Sequence, residues 1–411
     1  HSTLEPNGLK IKSPLGNVLH TGDWKCDPEP LLGKKTDSDK LKKIGDEGVL
    51  TMICDSTNVN TIGRSGSEGS VRKSILKIIE RLKKRVVVTT FASNVARMET
   101  IFYCAKKTGR QISLVGRSMH KIYNAAKKCG YLDNIIKPVD PRDAKKISRE
   151  KIIYLCTGSQ GEPMGAMSRI SSNTHPDVLL EKGDTAIFSS KIIPGNEKKL
   201  SKLHNKLVIE GVDVITEEDE FVHVSGHPNR DDLKDMYEWI RPKSVIPVHG
   251  EHKHIIEHIS FAKEMNVPNP LLVKNGDIVK IAPNNKPVVF DKAPTGRLFI
   301  DGSVSVYEDS KSIKERKNIS INGMMEITIL INSSGDIYDK PIISVKGLPI
   351  ENHEEFKSEL EVEIKKTART FKLNSSLQEK NAIEAIKGVC RKLSKQRIGK
   401  RPYTNINFVN V

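Results

Sequence analysis

The chain has 411 residues, 37% of them hydrophobic and 5% aromatic, and its 67 Lys and Arg outnumber 51 Asp and Glu to leave a net charge of +16. That length exceeds what one core organises and points to two or three domains, while no apolar run approaches the roughly 20 residues of a membrane helix. A positive field of this size attracts polyanions, so nucleic acid is the expected partner and a membrane is not.

The six cysteines (Cys26, Cys54, Cys104, Cys129, Cys156 and Cys390) form no CxxC pair, and several sit in apolar runs such as MIC and YLC. Free thiols in a reducing, cytoplasmic compartment fit this pattern better than a disulfide framework or a zinc ribbon. The chain opens on His1 rather than Met, in text that reads as mid-domain, so a preceding segment is expected.

From residue 1 to about 55, LKIKSP, NVLHTGDWK and GVLTMICDST read as strands and turns of one sheet. From about 68 to 220 the text becomes a repeated strand, polar turn and helix. VVVTT leads through FASN to VARMETIFYCAKK, ISLV through GRS to MHKIYNAAKKCG, IIYLC to TGSQGEP, and TAIFSS through KIIPGNE to a basic helix. Four such units predict a largely parallel, helix-covered sheet. Ligands of open sheets bind beyond the carboxyl ends of the strands, and these Gly-, Ser- and Asn-rich turns suit phosphate oxygens. Ser93, Asn94, Arg117, Ser118 and Ser159 are the candidates they supply.

Beyond 221, FVHVSGHPNRDDLKDMYEWI and SVIPVHGEHKHIIEHISFAKEM each read as strand, turn and helix. Residues 271–308 predict short strands with turns at NGD and DGS, and the charged run EDSKSIKERKN predicts a linker. The remainder predicts a small α+β domain: a hairpin from MMEITILIN and PIISVKG, helices over 353–370 and 375–396, and a closing strand TNINFVNV.

Four side chains stand just past strand ends: Asp23, Asp55, His227 and His249. A carboxylate able to bridge cations, with imidazoles from separate turns, is the donor set of a two-metal hydrolytic site. No single pair has a diagnostic spacing, so structural histidines remain the alternative. In EHKHIIEH, His254 and His258 stand four apart on one helix face but lack the Glu of HExxH; a solvated surface is expected there.

Together HST, HTGDWK, CDSTN, TFASN, GRSM, CTGSQGEPM, FSSKIIPGNE, HVSGH and PVHGE resemble, in order and over essentially the whole chain, ribonuclease J, a β-CASP member of the metallo-β-lactamase superfamily. The resemblance implies an α/β architecture: a partial metallo-β-lactamase αββα fold over 1–67 and 233–308, an inserted β-CASP domain over 68–232, a linker at 309–323 and a C-terminal α+β domain over 324–411. It implies two divalent cations, zinc first and manganese as the alternative. His1, Asp23 and His249 would be metal ligands, His227 the histidine that handles the scissile phosphate, with proton donation as its candidate role, and Asp55 its acidic partner. His223, Ser225 and Gly226 would border the phosphate. Phe91 is a candidate to stack a base, with a buried core aromatic as the alternative.

The superfamily's HxHxDH motif is absent from these 411 residues. Weak metal retention is therefore expected of the chain alone, most simply because it is part of a longer enzyme. The implied function is a 5′-to-3′ exonuclease and endonuclease of RNA maturation and decay. Its expected substrate is single-stranded RNA with a 5′-monophosphate. A homodimer or homotetramer is expected, alongside other RNA-decay proteins. The rival from another class is an inactive RNA-binding subunit that partners an active homologue; a small-molecule hydrolase of the superfamily is disfavoured by the four-unit insertion and the basic charge.

Overall fold

The computed structural model describes residue 4 and residues 6–281, 286–373 and 375–411. They form two compact units, His1–Ala293 and Pro294–Val411.

The first unit begins with β1 (Leu9–Ser13), β2 (Gly16–His20), α1 (Ser38–Asp46), β3 (Thr51–Asp55) and α2 (Glu68–Arg81). The repeated section follows: β4 (Val86–Thr89), α3 (Val95–Lys107), β5 (Gln111–Val115), α4 (Arg117–Lys128), α5 (Pro141–Ala144), β6 (Ile152–Cys156), α6 (Ala166–Ile170), β7 (Thr185–Phe188), α7 (Glu197–Ile209) and β8 (Asp213–Ile215). The chain then returns through α8 (Arg230–Ile240), β9 (Ser244–Val248), α9 (His252–Glu264), β10 (Asn269–Pro270), β11 (Asp277–Lys280) and β12 (Val288–Lys292).

Two five-stranded sheets result. One has the order β1-β2-β3-β9-β10 and the other β5-β6-β4-β7-β8. Every pairing in the second sheet is parallel. Its strands VVVT, TAIF and IIYLC are buried throughout, as a parallel sheet covered on both faces requires. One apolar cluster joins α2, α3 and α4 to one face; another joins α6 and α7 to the other. In the first sheet β2, β3 and β9 run parallel and adjacent, with Asp55 opposite Val248 and His20 opposite Ile53. Their carboxyl ends, which carry Asp23, Asp55 and His249, therefore emerge side by side.

Helix α9 turns the stripe Ile255, His258 and Ala262 inward, at i, i+3 and i+7. His258 is thus fully buried, which corrects the solvated surface expected for it, while His252 is exposed. Its Nδ1 lies 2.8 Å from Ser56 Oγ and its Nε2 2.8 Å from Tyr237 Oη, so neither nitrogen faces a metal. Burial pushes its imidazole down to about 4. The native state therefore binds fewer protons than the unfolded chain between about pH 6.5 and 4, and stability falls as pH is lowered through that window. This group contributes a loss of about 3 kcal/mol. Urea unfolding followed by the fluorescence of buried Trp24 checks it: His258→Gln is expected to flatten the pH dependence by that amount, and an unchanged slope contradicts it.

The cysteines match free thiols: Cys54, Cys104, Cys156 and Cys390 are buried, and burial pushes each up to about 12.

The second unit contains β13 (Leu298–Asp301), β14 (Val304–Tyr307), α10 (Lys311–Asn322), β15 (Met324–Ile331), β16 (Ile342–Lys346), α11 (His353–Ala368), α12 (Ser376–Ile398) and β17 (Tyr403–Asn410). The charged run expected as a linker instead enters α10, because Lys, Glu and Arg are good helix formers and Ile313 supplies a buried anchor. The DGS turn closes the β13–β14 hairpin, which lies in this unit. β15 pairs antiparallel with β16 and parallel with β17 over eight residues, and α11 and α12 bury Phe356, Leu360, Ile364, Ala382, Ile386 and Cys390 in the core of this unit.

Candidate metal and phosphate site

Asp23, Asp55, His227 and His249 converge: one ligand atom from each lies within 4.8 Å of the others. Asp23 follows β2, Asp55 ends β3 and His249 follows β9, while His227 arrives on the connection that returns from β8 to α8. His1 lies outside the described residues.

The four divide into two pairs by their hydrogen bonds. Asp55, whose side chain is wholly buried, accepts His227 Nδ1–H on Oδ2 at 2.7 Å. Its other oxygen accepts the Thr57 amide at 2.9 Å and the Thr57 hydroxyl at 2.7 Å. Burial pushes the Asp55 carboxyl up, but the His227 hydrogen bond and charge with the two Thr57 donors outweigh it and hold the group below the usual carboxylate range. Both Asp55 oxygens are thus committed to protein donors.

The second pair is Asp23 and His249. Thr57 Oγ1 also lies 2.8 Å from His249 Nδ1. Its one proton goes to the carboxylate, the strongest acceptor in reach, so Nδ1–H donates to Thr57 and the imidazole lone pair sits on Nε2. That Nε2 is 3.7 Å from Asp23 Oδ2, and both side chains are partly open to solvent. A carboxylate oxygen beside an unprotonated imidazole nitrogen suits a zinc- or manganese-type cation. His249 has φ +55, the left-handed region, at the turn where PVHGE leaves β9. A β-substituted residue held there costs of order 1–3 kcal/mol, a strain that clusters where a side chain must be aimed. The His227 and His249 rings stack with centroids 5.1 Å apart, which sets the two pairs side by side.

The phosphate candidates separate. Ser225 Oγ accepts from Asn58 Nδ2 at 2.7 Å and from the His227 amide at 3.1 Å, so the SGH turn is fixed against the DSTN turn. Gly226 is half-buried between them. His223 lines a neighbouring cleft of about 240 Å³ with Ser225, Arg64 and Lys191. Burial, then the charges of Arg97, Lys25 and Lys191, push its imidazole down to about 3. Arg117 and Ser118 are exposed at the start of α4, and Ser93 and Phe91 are half-buried before α3.

Asn94 and Ser159 do not reach an open rim. Asn94 is 4% exposed; its Oδ1 caps α3 by accepting from the Arg97 amide, and its Nδ2 donates to Glu68. A turn-forming Asn reads the same in sequence whether it caps a helix or faces a ligand. Ser159 is buried, and it lines a cavity that opens beside exposed Glu217 and Glu218. The preceding Gly158 has φ +108, and a Cβ there would sit 3.0 Å from the Met167 amide nitrogen, so the turn that inserts Ser159 needs glycine. Thr57 and Asn58 were not singled out from sequence; the signal for Thr57 is local, since Asp55 followed two residues on by a hydroxyl residue is an Asx-turn pattern.

Family models match in chain order: the ribonuclease J beta-CASP domain over 83–207, the Zn-dependent metallo-hydrolase RNA specificity domain over 195–269, and the ribonuclease J C-terminal domain over 311–411. With the strand-end cluster, they make this a metallo-hydrolase fold with a β-CASP insertion. Ribonuclease J of Sinorhizobium meliloti is 38% identical over 349 residues, 85% of this chain and 62% of the relative. Ribonuclease J of Corynebacterium glutamicum is 36% identical, covering 84% and 49%, and ribonuclease J2 of Bacillus subtilis is 32% identical, covering 81% and 60%. The chain belongs to the ribonuclease J family, and it spans about half to three fifths of the length of these relatives.

Proposed function

We propose that the chain forms the greater part of the core of a metal-dependent RNA phosphodiester hydrolase that acts as a 5′-to-3′ exonuclease and endonuclease. The observation that carries this reading is the convergence of Asp23, Asp55, His227 and His249 from four separate segments. Asp23 and His249 Nε2 would hold divalent cations, zinc first with manganese as the alternative, and His1 would join them. A cation held there supplies Lewis-acid stabilisation of the charge that develops on a phosphodiester. Thr57 orients His249 and the Asp55 carboxylate together, the outer-shell role that fixes a ligand's tautomer. Asp55 holds His227 through Nδ1, which stabilises the imidazolium and leaves Nε2 to give its proton to the leaving oxygen. Ser225, Gly226 and His223 would contact the phosphate, and exposed Arg117 with Ser93 and Ser118 would follow the RNA backbone.

The experiment uses a completed protein, in which an HxHxDH segment of the kind the resemblance implies precedes this chain. It is expected to degrade 5′-monophosphorylated RNA faster than 5′-triphosphorylated RNA and to stop when a chelator is added. Equal rates remove the 5′-phosphate pocket; RNA binding without cleavage favours the inactive subunit.

We also propose self-association through the second unit, supported by Ile342 and Val362, each more than 60% exposed. A solution mass near the 45.9 kDa of one chain contradicts it.

A further inference from the structure

At the carboxyl ends of β6, β7 and β8 lies a cavity of about 80 Å³, walled by Ser159, Phe188, Leu200 and His204, with Glu217 and Glu218 in its lining. At roughly 10–15 Å³ for each water centre, this space exceeds what one structural water fills. Ser159 is 2% exposed, yet its Oγ has no hydrogen-bond partner among the described residues, and neither does His204 Nε2. Two buried polar atoms aimed into one cavity call for a polar occupant.

The walls narrow its chemistry. Phe188 and His204 meet edge to face, with centroids 4.3 Å apart and planes at 69°, and Leu200 and Ile192 add apolar surface. A flat heteroaromatic ring fits such a lining. The two carboxylates repel a phosphate. They build no cation site with His204 either: among the described residues the one converging group of three or more metal donors is the Asp23 cluster. Glu217 also lines the cleft that holds Lys191, Arg64, His223 and Ser225, so the cavity is the next station away from His227.

We propose that this cavity is a nucleobase subsite for a base carrying an exocyclic amino group beside a ring acceptor, with cytosine as its reference ligand. The amino group donates to Glu217, and Ser159 Oγ and His204 Nε2 meet the ring nitrogen and carbonyl. The proposal rests on the reading of RNA as substrate.

The test titrates CMP and UMP, which differ at that amino edge, into this chain at low salt. CMP is expected to bind at least about fivefold tighter, the low end of the discrimination that base-edge hydrogen bonds give. Ile192→Trp, a half-buried position at the lining, is expected to bring CMP down to the UMP affinity by filling the space. Glu217→Gln, at an exposed position, is expected to reduce the preference to about one because its amide also serves the uracil carbonyl. Equal affinities in the unaltered chain, or a preference that survives both substitutions, overturn the subsite. A short oligocytidylate separates the two readings. If it binds and the CMP preference is absent, the subsite alone falls; if neither it nor the nucleotides bind, the RNA reading falls as well.

Discussion

In the completed protein, His227→Ala lowers the rate of RNA cleavage about 10²- to 10⁴-fold, the range for loss of a positioned general acid. It is expected to leave metal content unchanged, because the proposed ligand pair is Asp23 with His249, whose Nε2 lies 3.7 Å from Asp23 Oδ2. Asp55→Asn is expected to lose a similar factor by a different route. An amide presents an N–H or a carbonyl where a carboxylate can only accept, so the imidazole is no longer held as the Nδ1–H form and its charged state loses its counter-ion. Both variants are expected to keep most of their RNA affinity, since neither removes a Lys or Arg that would follow the RNA backbone. Single-turnover cleavage at saturating protein, with metal content measured on the same samples, checks the pair. A His227→Ala protein that cleaves at the unaltered rate removes the proton-transfer role, and one that loses its metal reassigns His227 to the ligand shell.

The largest stability effect belongs to Arg97, which is fully buried. Its Nε and Nη2 donate to the two oxygens of Glu68 at 3.1 and 2.9 Å, and its Nη1 donates to the Ser189 carbonyl, the Ser189 hydroxyl and the Val222 carbonyl at 3.1, 2.5 and 2.9 Å. One guanidinium therefore joins α2, the end of β7 and the residue that precedes His223. Arg97→Met keeps the volume but leaves the Glu68 carboxylate, 8% exposed, without its cationic partner, a cost of about 3–5 kcal/mol. Adding Glu68→Leu recovers part of that, because replacing both members of a buried pair avoids the stranded charge; the Ser189 and Val222 carbonyls still lose a donor. Urea unfolding of the single and double variants measures both numbers. A single variant as stable as the unaltered chain, or a double variant less stable than the single, contradicts this account of the network.

Much of this was legible in the text of the chain. VVVT, ISLV, IIYLC and TAIF stand at strand length between polar turns, and each forms a strand of one parallel sheet. HTGD, CDST and PVHG place their carboxylates and imidazole at or just past strand ends because the β2, β3 and β9 strands stop there. What stayed hidden depends on partners far away in sequence. The order β5-β6-β4-β7-β8 is a choice among neighbours that strand periodicity does not encode. Asn94 and Ser159 have the composition of ligand turns, yet Glu68 and the α6 turn enclose them. His258 did carry a signal, since it sits on the apolar stripe with Ile255 and Ala262, but the neighbouring His252 and His254 made the stretch read as polar. The proposed division of labour between the histidines rests on Thr57, a side chain that sequence spacing alone does not single out.

The most direct measurement is anomalous diffraction at the zinc edge from crystals of the completed protein. The account predicts a peak about 2.0–2.2 Å from His249 Nε2 and from an Asp23 oxygen, with His227 Nδ1 still bonded to Asp55. A peak ligated instead by Asp55 or His227, or one away from His249 altogether, contradicts it.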